Sequence, residues 1–144
     1  MKAMFDTNIY ISFIRNRTHH DILLQRGTVK YMSAVVLMEL WAGSKTRKAD
    51  RLLHQLQRPY AKAGRIITLR AGHYIAAGHL LSDLKPEHKK LAKQADFIND
   101  IQIALTALHV GATLYTENKK HFRVIAEMVN GLKVEYRNRS ILDS

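Results

Sequence analysis

The stretch KAMFDTNIYI, residues 2–11, contains an apolar run, an acid and the start of a helical pattern. Residues 2–6 predict a short buried strand, and residues 8–16 predict a helix with its apolar side chains on one inner face. Asp6 therefore lies where the first strand ends and the first helix begins. A carboxylate in this position is a candidate functional residue, although it could instead start a turn or cap the helix.

Strand and helix patterns alternate along the rest of the chain. Strands are predicted at 30–36, 65–69, 112–116 and 132–136, with helices ending at Gly43, spanning 45–63, ending near Asp83, running from Pro86 to about Gly111, and lying around 122–130. Because parallel strands need crossover connections, this order predicts a three-layer α/β/α fold with a central, mostly parallel sheet of about five strands. We expect residues 1–144 to form a single domain.

The charge balance favours a polyanionic partner. Twenty-three Lys and Arg face twelve Asp and Glu, which gives a formal net charge of +11 and a pI near 10.1. Such a field attracts nucleic acid, although a solvated basic surface is the alternative. The chain contains no cysteine, which excludes disulfides, thiol nucleophiles and cysteine-based zinc sites. With no apolar run long enough to span a membrane, we expect a soluble, cytoplasmic protein with no membrane partner.

Several carboxylates lie where core packing would not require them. Asp6 ends the first strand, Glu39 lies within the apolar run SAVVLMELWAG, and Asp96 and Asp100 lie four residues apart on one helix face. We expect Asp6, Glu39 and Asp100 to converge at one end of the sheet, and Asp96 to be a surface residue. Two carboxylates 4 Å apart repel by about 4 kcal/mol at an effective dielectric constant of 20, so a cluster needs a proton, a basic side chain or a cation. Hard oxygen ligands fit Mg²⁺ or Mn²⁺.

The ordered motifs resemble a known family. MFDTNIYIS, the glutamate of VVLMELWAG, NDIQIALTAL, and GATLYTEN followed by HF are similar to the PIN domain, specifically the VapC-type toxin ribonucleases of toxin–antitoxin pairs. The resemblance covers nearly the whole chain. It implies an α/β/α domain, a Mg²⁺-dependent endoribonuclease that cleaves RNA through a metal-activated water, a homodimer, and neutralisation by a cognate antitoxin.

The resemblance also implies roles for individual residues. Asp6, Glu39 and Asp100 match the three metal-binding acids, and Thr116 matches the threonine or serine after the fourth strand. The family's fourth acid corresponds to Asn118, whose neutral carbonyl could serve directly or through water. We expect Asn118 or Thr116 to orient the attacking water or a ligand.

Neighbouring residues depart from the family pattern or extend the site. Glu117 could substitute for the missing acid, but its side chain is expected to point elsewhere, because adjacent residues leaving a strand face opposite ways. Many family members carry an acid where this chain has His121. The candidate RNA-contacting residues are Lys119, Lys120, Arg47 and Lys48. A basic helix face is often only solvated, so the last two could be simple surface charges.

Two alternatives remain open or are excluded on specific residues. Without a fourth acid, the chain could be a catalytically weak PIN-fold nucleic-acid-binding module. An aspartate-nucleophile phosphatase needs a second aspartate two residues after the first, and Asn8 occupies that position. His19 and His20 are expected to be exposed, and Trp41 is expected in the core or at a dimer interface.

Overall fold

The computed structural model describes residues 1–139, which form a parallel sheet with helices on both faces. Its elements are β1 (Lys2–Phe5), α1 (Thr7–Asn16), α2 (His20–Leu23), β2 (Val29–Ser33), α3 (Ala34–Ala42), α4 (Arg47–Lys62), β3 (Ile66–Ile67), α5 (Ala71–Ser82), a 3₁₀ helix (Pro86–Lys93), α6 (Ala95–Val110), β4 (Thr113–Thr116), α7 (Lys119–Met128) and β5 (Val134–Tyr136). The three-layer α/β/α prediction is confirmed.

The five strands lie in the order β3-β2-β1-β4-β5, and every pairing between them is parallel. β1 is therefore the central strand, and its Ala3, Met4 and Phe5 are fully buried. A strand covered on both faces reads as a continuous apolar run, which explains the pattern before Asp6. At the carboxyl edge, Phe5 of β1 is in register with Tyr115 of β4.

Three predicted boundaries differ from the structure for local reasons. β2 ends at Ser33, because the Ser33 side chain accepts a hydrogen bond from the Val35 N–H (3.1 Å) and so caps α3. Residues 34–36, predicted as strand, therefore form the first helical turn. The helix predicted from Pro86 to Gly111 is divided at Gln94, whose backbone is extended. α7 begins at Lys119, earlier than predicted, because the preceding asparagine caps it.

The turn from α6 into β4 determines where the site residues lie. Gly111 ends α6 with a positive φ of 71°, a conformation that glycine adopts without strain. β4 then runs beside β1, so its last residues arrive next to Asp6. None of the helices within residues 1–139 has the length and apolar character needed to cross a membrane.

Candidate active site

Asp6 and Thr116 meet at the carboxyl edge of the two central strands. The Asp6 N–H donates to the Tyr115 carbonyl (2.9 Å), which continues the pairing of β1 with β4. Oδ1 of Asp6 accepts from the Thr7 N–H (2.8 Å), and Oδ2 accepts from the Thr116 hydroxyl (2.6 Å). Asp6 is only 3% exposed. It is thus both the cap of α1 and a buried acid at the edge where open parallel sheets bind ligands.

Glu39 reaches the same edge from α3. Its Oε1 accepts from the Thr7 hydroxyl (2.6 Å), and its Oε2 accepts from Nδ2 of Asn99 on α6 (3.4 Å). Since Thr7 also donates its N–H to Asp6, one residue connects the two acids. The sequence analysis did not identify Thr7 or Asn99, although each is a polar neighbour of a predicted acid.

Asp100 lies buried on α6 and is contacted from α7. Its Oδ2 accepts from Nδ2 of Asn118 (3.3 Å) and lies 2.6 Å from Nδ1 of His121. The Asn118 N–H donates to the Thr116 hydroxyl oxygen (3.0 Å), and the Thr116 hydroxyl in turn donates to Asp6. A continuous network therefore connects Asp6, which follows β1, to Asp100 on α6.

The acids repel one another. Burial raises the pKa of Asp6 to about 6, with hydrogen bonds from Thr116 and Thr7 opposing the shift and the Glu39 charge adding to it. Burial also raises the pKa of Asp100 to about 9, with additional contributions from the charges of Asp6 and Glu39. Burial lowers the pKa of His121, so a neutral imidazole faces Asp100. Within residues 1–139, no Lys or Arg forms an ion pair with any of these three acids.

This donor set matches a hard divalent cation in chemistry, because three carboxylates lie at one edge of the sheet and, among the described residues, none is paired with a Lys or Arg. In the part of the chain that the structure describes, however, no three Asp, Glu or His side chains lie close enough to hold an ion as they stand. Each acid is turned toward a hydrogen-bond partner instead: Asp6 toward Thr116, Glu39 toward Thr7, and Asp100 toward His121. Binding one cation among these acids therefore requires movement of at least one of the three side chains.

The four basic candidates lie in the first turns of two different helices. Lys119 and Lys120 are exposed in the first turn of α7, and the Lys120 charge contributes to the lowered pKa of His121. Arg47 and Lys48 are exposed in the first turn of α4, where no hydrogen bond or ion pair connects them to the acids. Asp96 is exposed, as expected, and its charge raises the pKa of Asp100.

Glu117 points away from the acids, into a second buried network. Its Oε2 accepts from the Ser12 hydroxyl (2.7 Å) and lies 2.6 Å from Nε2 of His19. Nε of Arg137 donates to Nδ1 of His19 (3.3 Å), so Nε2 carries the imidazole proton and donates to Glu117. The His19 side chain is 2% exposed, so the expectation that it is exposed was wrong, whereas His20 is exposed as expected.

An apolar groove between α1 and α4 runs to Glu39. Its lining includes Tyr10, Phe13, Ile14, Leu52, Leu56 and Pro59. Near the acids, the groove is bordered by Arg15 and Glu39. Trp41 is partly buried, and its indole N–H donates to Oε1 of Gln57 (2.8 Å).

Comparison with known proteins agrees with this geometry. The PIN domain family model matches residues 3–128. Among solved structures, the chain is similar to one in VapBC2 from Rickettsia felis bound to a promoter DNA fragment, at 28% identity, covering 96% of this chain and 100% of that one, with a TM-score of 0.64.

Two further structures share the fold. They are VapBC-1 from nontypeable Haemophilus influenzae (23% identity, 94% of this chain and 98% of that one, TM-score 0.64) and DNA-bound VapBC from Salmonella typhimurium (24%, 94% and 98%, 0.62). No curated protein matches the chain significantly. The chain therefore belongs to the PIN-domain family and is similar to the proteins of VapBC complexes, as its motifs predicted.

Proposed function

We propose that this protein is a divalent-cation-dependent endoribonuclease and the toxin of a toxin–antitoxin pair. The observation that carries the proposal is the cluster of Asp6, Glu39 and Asp100, which lies at the carboxyl edge of a parallel sheet without a Lys or Arg ion pair. PIN-family membership supports a nuclease. The net charge of +11 suits a polyanionic substrate. RNA as the substrate and a cytoplasmic site of action are further parts of this proposal.

The three acids would hold Mg²⁺, or Mn²⁺ in its place. A bound divalent cation supplies Lewis acidity, which activates water and neutralises charge on the phosphate. The hydroxyls of Thr116 and Thr7 would orient Asp6 and Glu39 by donating to one oxygen of each acid. The other oxygens accept from the Thr7 N–H and from Nδ2 of Asn99, and each has a further lone pair for the cation.

The proposed protein partners are a cognate antitoxin and a second copy of this chain. The groove between α1 and α4 suits an apolar antitoxin segment that ends in a basic side chain, because the groove terminates at Glu39. The relatives whose structures are similar are VapBC complexes, which supports an antitoxin partner. For the homodimer, α3 and α5 expose the large apolar side chains Met38, Tyr74 and Ile75.

A catalytically weak nucleic-acid-binding module is the second candidate. It is favoured by Asn118 in place of the fourth acid and by the rotation of each acid toward a hydrogen-bond partner. Mg²⁺ separates the two candidates, since a cation that binds only the folded state raises stability by about 2.7 kcal/mol at one hundred times its Kd.

Chelation tests the proposed function directly. A single-stranded RNA oligonucleotide should be cleaved with Mg²⁺, left intact with excess EDTA, and cleaved again when Mg²⁺ is restored. Mg²⁺ should also raise the Tm of the protein. The matched control is Asp96→Asn, which removes an exposed carboxylate of the same helix and should keep most activity. Undiminished cleavage after complete chelation would contradict the proposal. A Tm unchanged by Mg²⁺, together with salt-sensitive RNA binding, would favour the second candidate.

Lys119 and Lys120 are expected to bind substrate phosphates. RNA affinity should fall as salt rises. In the variant Lys119→Ala/Lys120→Ala, the slope of log affinity against log salt concentration should be shallower by about 1.4, since each phosphate contact contributes about 0.7 for single strands. Arg47→Ala/Lys48→Ala is the matched pair with the same charge change and should alter the slope less. Binding assays from low to physiological salt check this. Equal slopes for both pairs would show that Lys119 and Lys120 have no special role.

A further inference from the structure

Asn118 and His121 lie where the family pattern has acids, and both contact the same oxygen atom of Asp100. Nδ2 of Asn118 and Nδ1 of His121 both contact Oδ2 of Asp100, at 3.3 Å and 2.6 Å. No hydrogen bond from the described residues 1–139 reaches the other oxygen, Oδ1 of Asp100. The replacements are thus two neutral donors directed at one side of a single carboxylate.

Neither replacement is arranged as a cation ligand. Oδ1 of Asn118, its oxygen suited to a hard cation, accepts from the His121 N–H (3.1 Å) and caps α7. The His121 imidazole is 6% exposed and packs edge-on against the Phe97 ring, with centroids 5.2 Å apart. Its orientation is therefore set by packing, which directs Nδ1 at Asp100. In this structure the Asn118 carbonyl thus caps α7, while its amide contacts Asp100.

We propose that His121 and Asn118 are positioning residues, which hold Oδ2 of Asp100 so that Oδ1 is presented to a single divalent cation. The inference rests on the proposed cation site. When Asp100 is ionised, Nδ2–H of Asn118 and Nδ1–H of His121 both donate to Oδ2. With those side chains engaged, the residues that would complete a second cation site are not available, and three carboxylates remain for one ion.

Mn²⁺ binding to the full chain without RNA tests this, with free Mn²⁺ measured by electron paramagnetic resonance. The parent should bind one Mn²⁺. His121→Ala should weaken its affinity tenfold or more, the usual loss when a residue that orients a ligand is removed. His121→Asn should recover most of it, because its amide nitrogen can donate from near the position of Nδ1. His20→Ala, at an exposed histidine, should bind like the parent.

Asn118→Ser provides a second test that does not perturb the imidazole packing. Serine keeps a cap for α7 but has no amide to donate to Asp100, so Mn²⁺ affinity should again fall severalfold. The double variant Asn118→Asp/His121→Asp places two acids beside Asp100 and should bind two Mn²⁺. Far-UV circular dichroism establishes that each variant is folded, and Asn118→Ser decides the question if His121→Ala is not.

Three outcomes would overturn the proposal, and they are distinguishable. Parent-like Mn²⁺ affinity in folded His121→Ala or Asn118→Ser would show that the donors do not position Asp100. Two Mn²⁺ bound to the parent would exclude a single-cation site. Absence of Mn²⁺ binding to the parent would remove the cation site itself, and with it the proposed mechanism. One Mn²⁺ bound with the expected losses, but no RNA cleavage, would contradict the proposed function alone.

Discussion

Asp100→Asn is expected to reduce RNA cleavage on the order of 10³-fold, a loss typical of removing a group that acts in the transition state. The same substitution should stabilise the cation-free protein by at least about 1 kcal/mol, because one pKa unit corresponds to about 1.4 kcal/mol. Asp100 is buried against the charges of Asp6 and Glu39, and asparagine removes that repulsion. Function and stability should therefore change in opposite directions at this position.

The stability gain should depend on pH in a defined sense. The pKa of Asp100 is raised from 3.8 to about 9 in the folded protein, so its contribution to stability is fully present below pH 3.8 and is lost as pH rises toward 9. The difference in Tm between Asp100→Asn and the parent should thus be close to zero near pH 4 and grow toward pH 8. Thermal melts in EDTA at several pH values measure it.

Asp96→Asn is the control for the Asp100 experiment, because Asp96 is exposed and lies one turn away. Its effect on cation-free Tm and on cleavage should be small. If Asp100→Asn lowers the Tm across the whole pH range, the carboxylate makes a net stabilising contribution and the description of repelling acids is wrong. If Asp100→Asn cleaves RNA like the parent, the active site lies elsewhere.

His19→Ala is expected to have the largest effect on stability, a loss of about 3 kcal/mol, because it leaves the buried Glu117 carboxylate without its closest donor. His19 also has a positive φ of 67°, which adds strain for alanine. His20→Ala, at the exposed neighbour, should change the free energy of unfolding by less than about 0.5 kcal/mol. Urea unfolding with both variants measures the difference.

A second variant separates the lost hydrogen bond from the backbone strain. His19→Asn keeps a side chain that tolerates the left-handed conformation and carries an amide donor, so it should lose less stability than His19→Ala. Comparable losses in His19→Ala and His20→Ala would show that the contact with Glu117 contributes nothing to folding. In that case nothing would hold the Glu117 side chain away from the acids, and the prediction that it points elsewhere than the cation site would fail.

Much of the fold was predictable because its signals are local. The apolar run before Asp6 and the β-branched and apolar runs at the later strands follow from a buried parallel sheet, and the position of Asp6 follows from the end of the first strand. The predicted boundaries were wrong where a single side chain sets them. At Ser33, for example, the hydroxyl caps α3, so the helix begins at Ala34. The apolar pattern of residues 30–36 alone does not show whether the strand continues or the serine ends it by capping a helix.

The contacts that hold the site could not be predicted, because they join residues far apart in the chain. His19 gave no sign of burial, since its partner Glu117 lies 98 residues away. For Asn118, the motif indicated a ligand or water-orienting role through its carbonyl, and that role stays a prediction. The structure shows that its carbonyl caps a helix and its amide holds Asp100. Sequence motifs predict which residues lie together at the site. The hydrogen-bond partners of those residues determine which of their atoms can bind a ligand.

The position of β1 between β2 and β4 has a consequence for synthesis. β1 precedes the other four strands along the chain but is the middle strand of the finished sheet, so it lacks one neighbour until β4 has been made. Thr116 reaches back 110 residues to bond Asp6, and Ser12 reaches forward 105 residues to Glu117. A nascent chain that ends before β4 therefore contains all three acids but no assembled site, because Thr116 is still missing. The proposed nuclease can form only after β4 and the start of α7 have been translated.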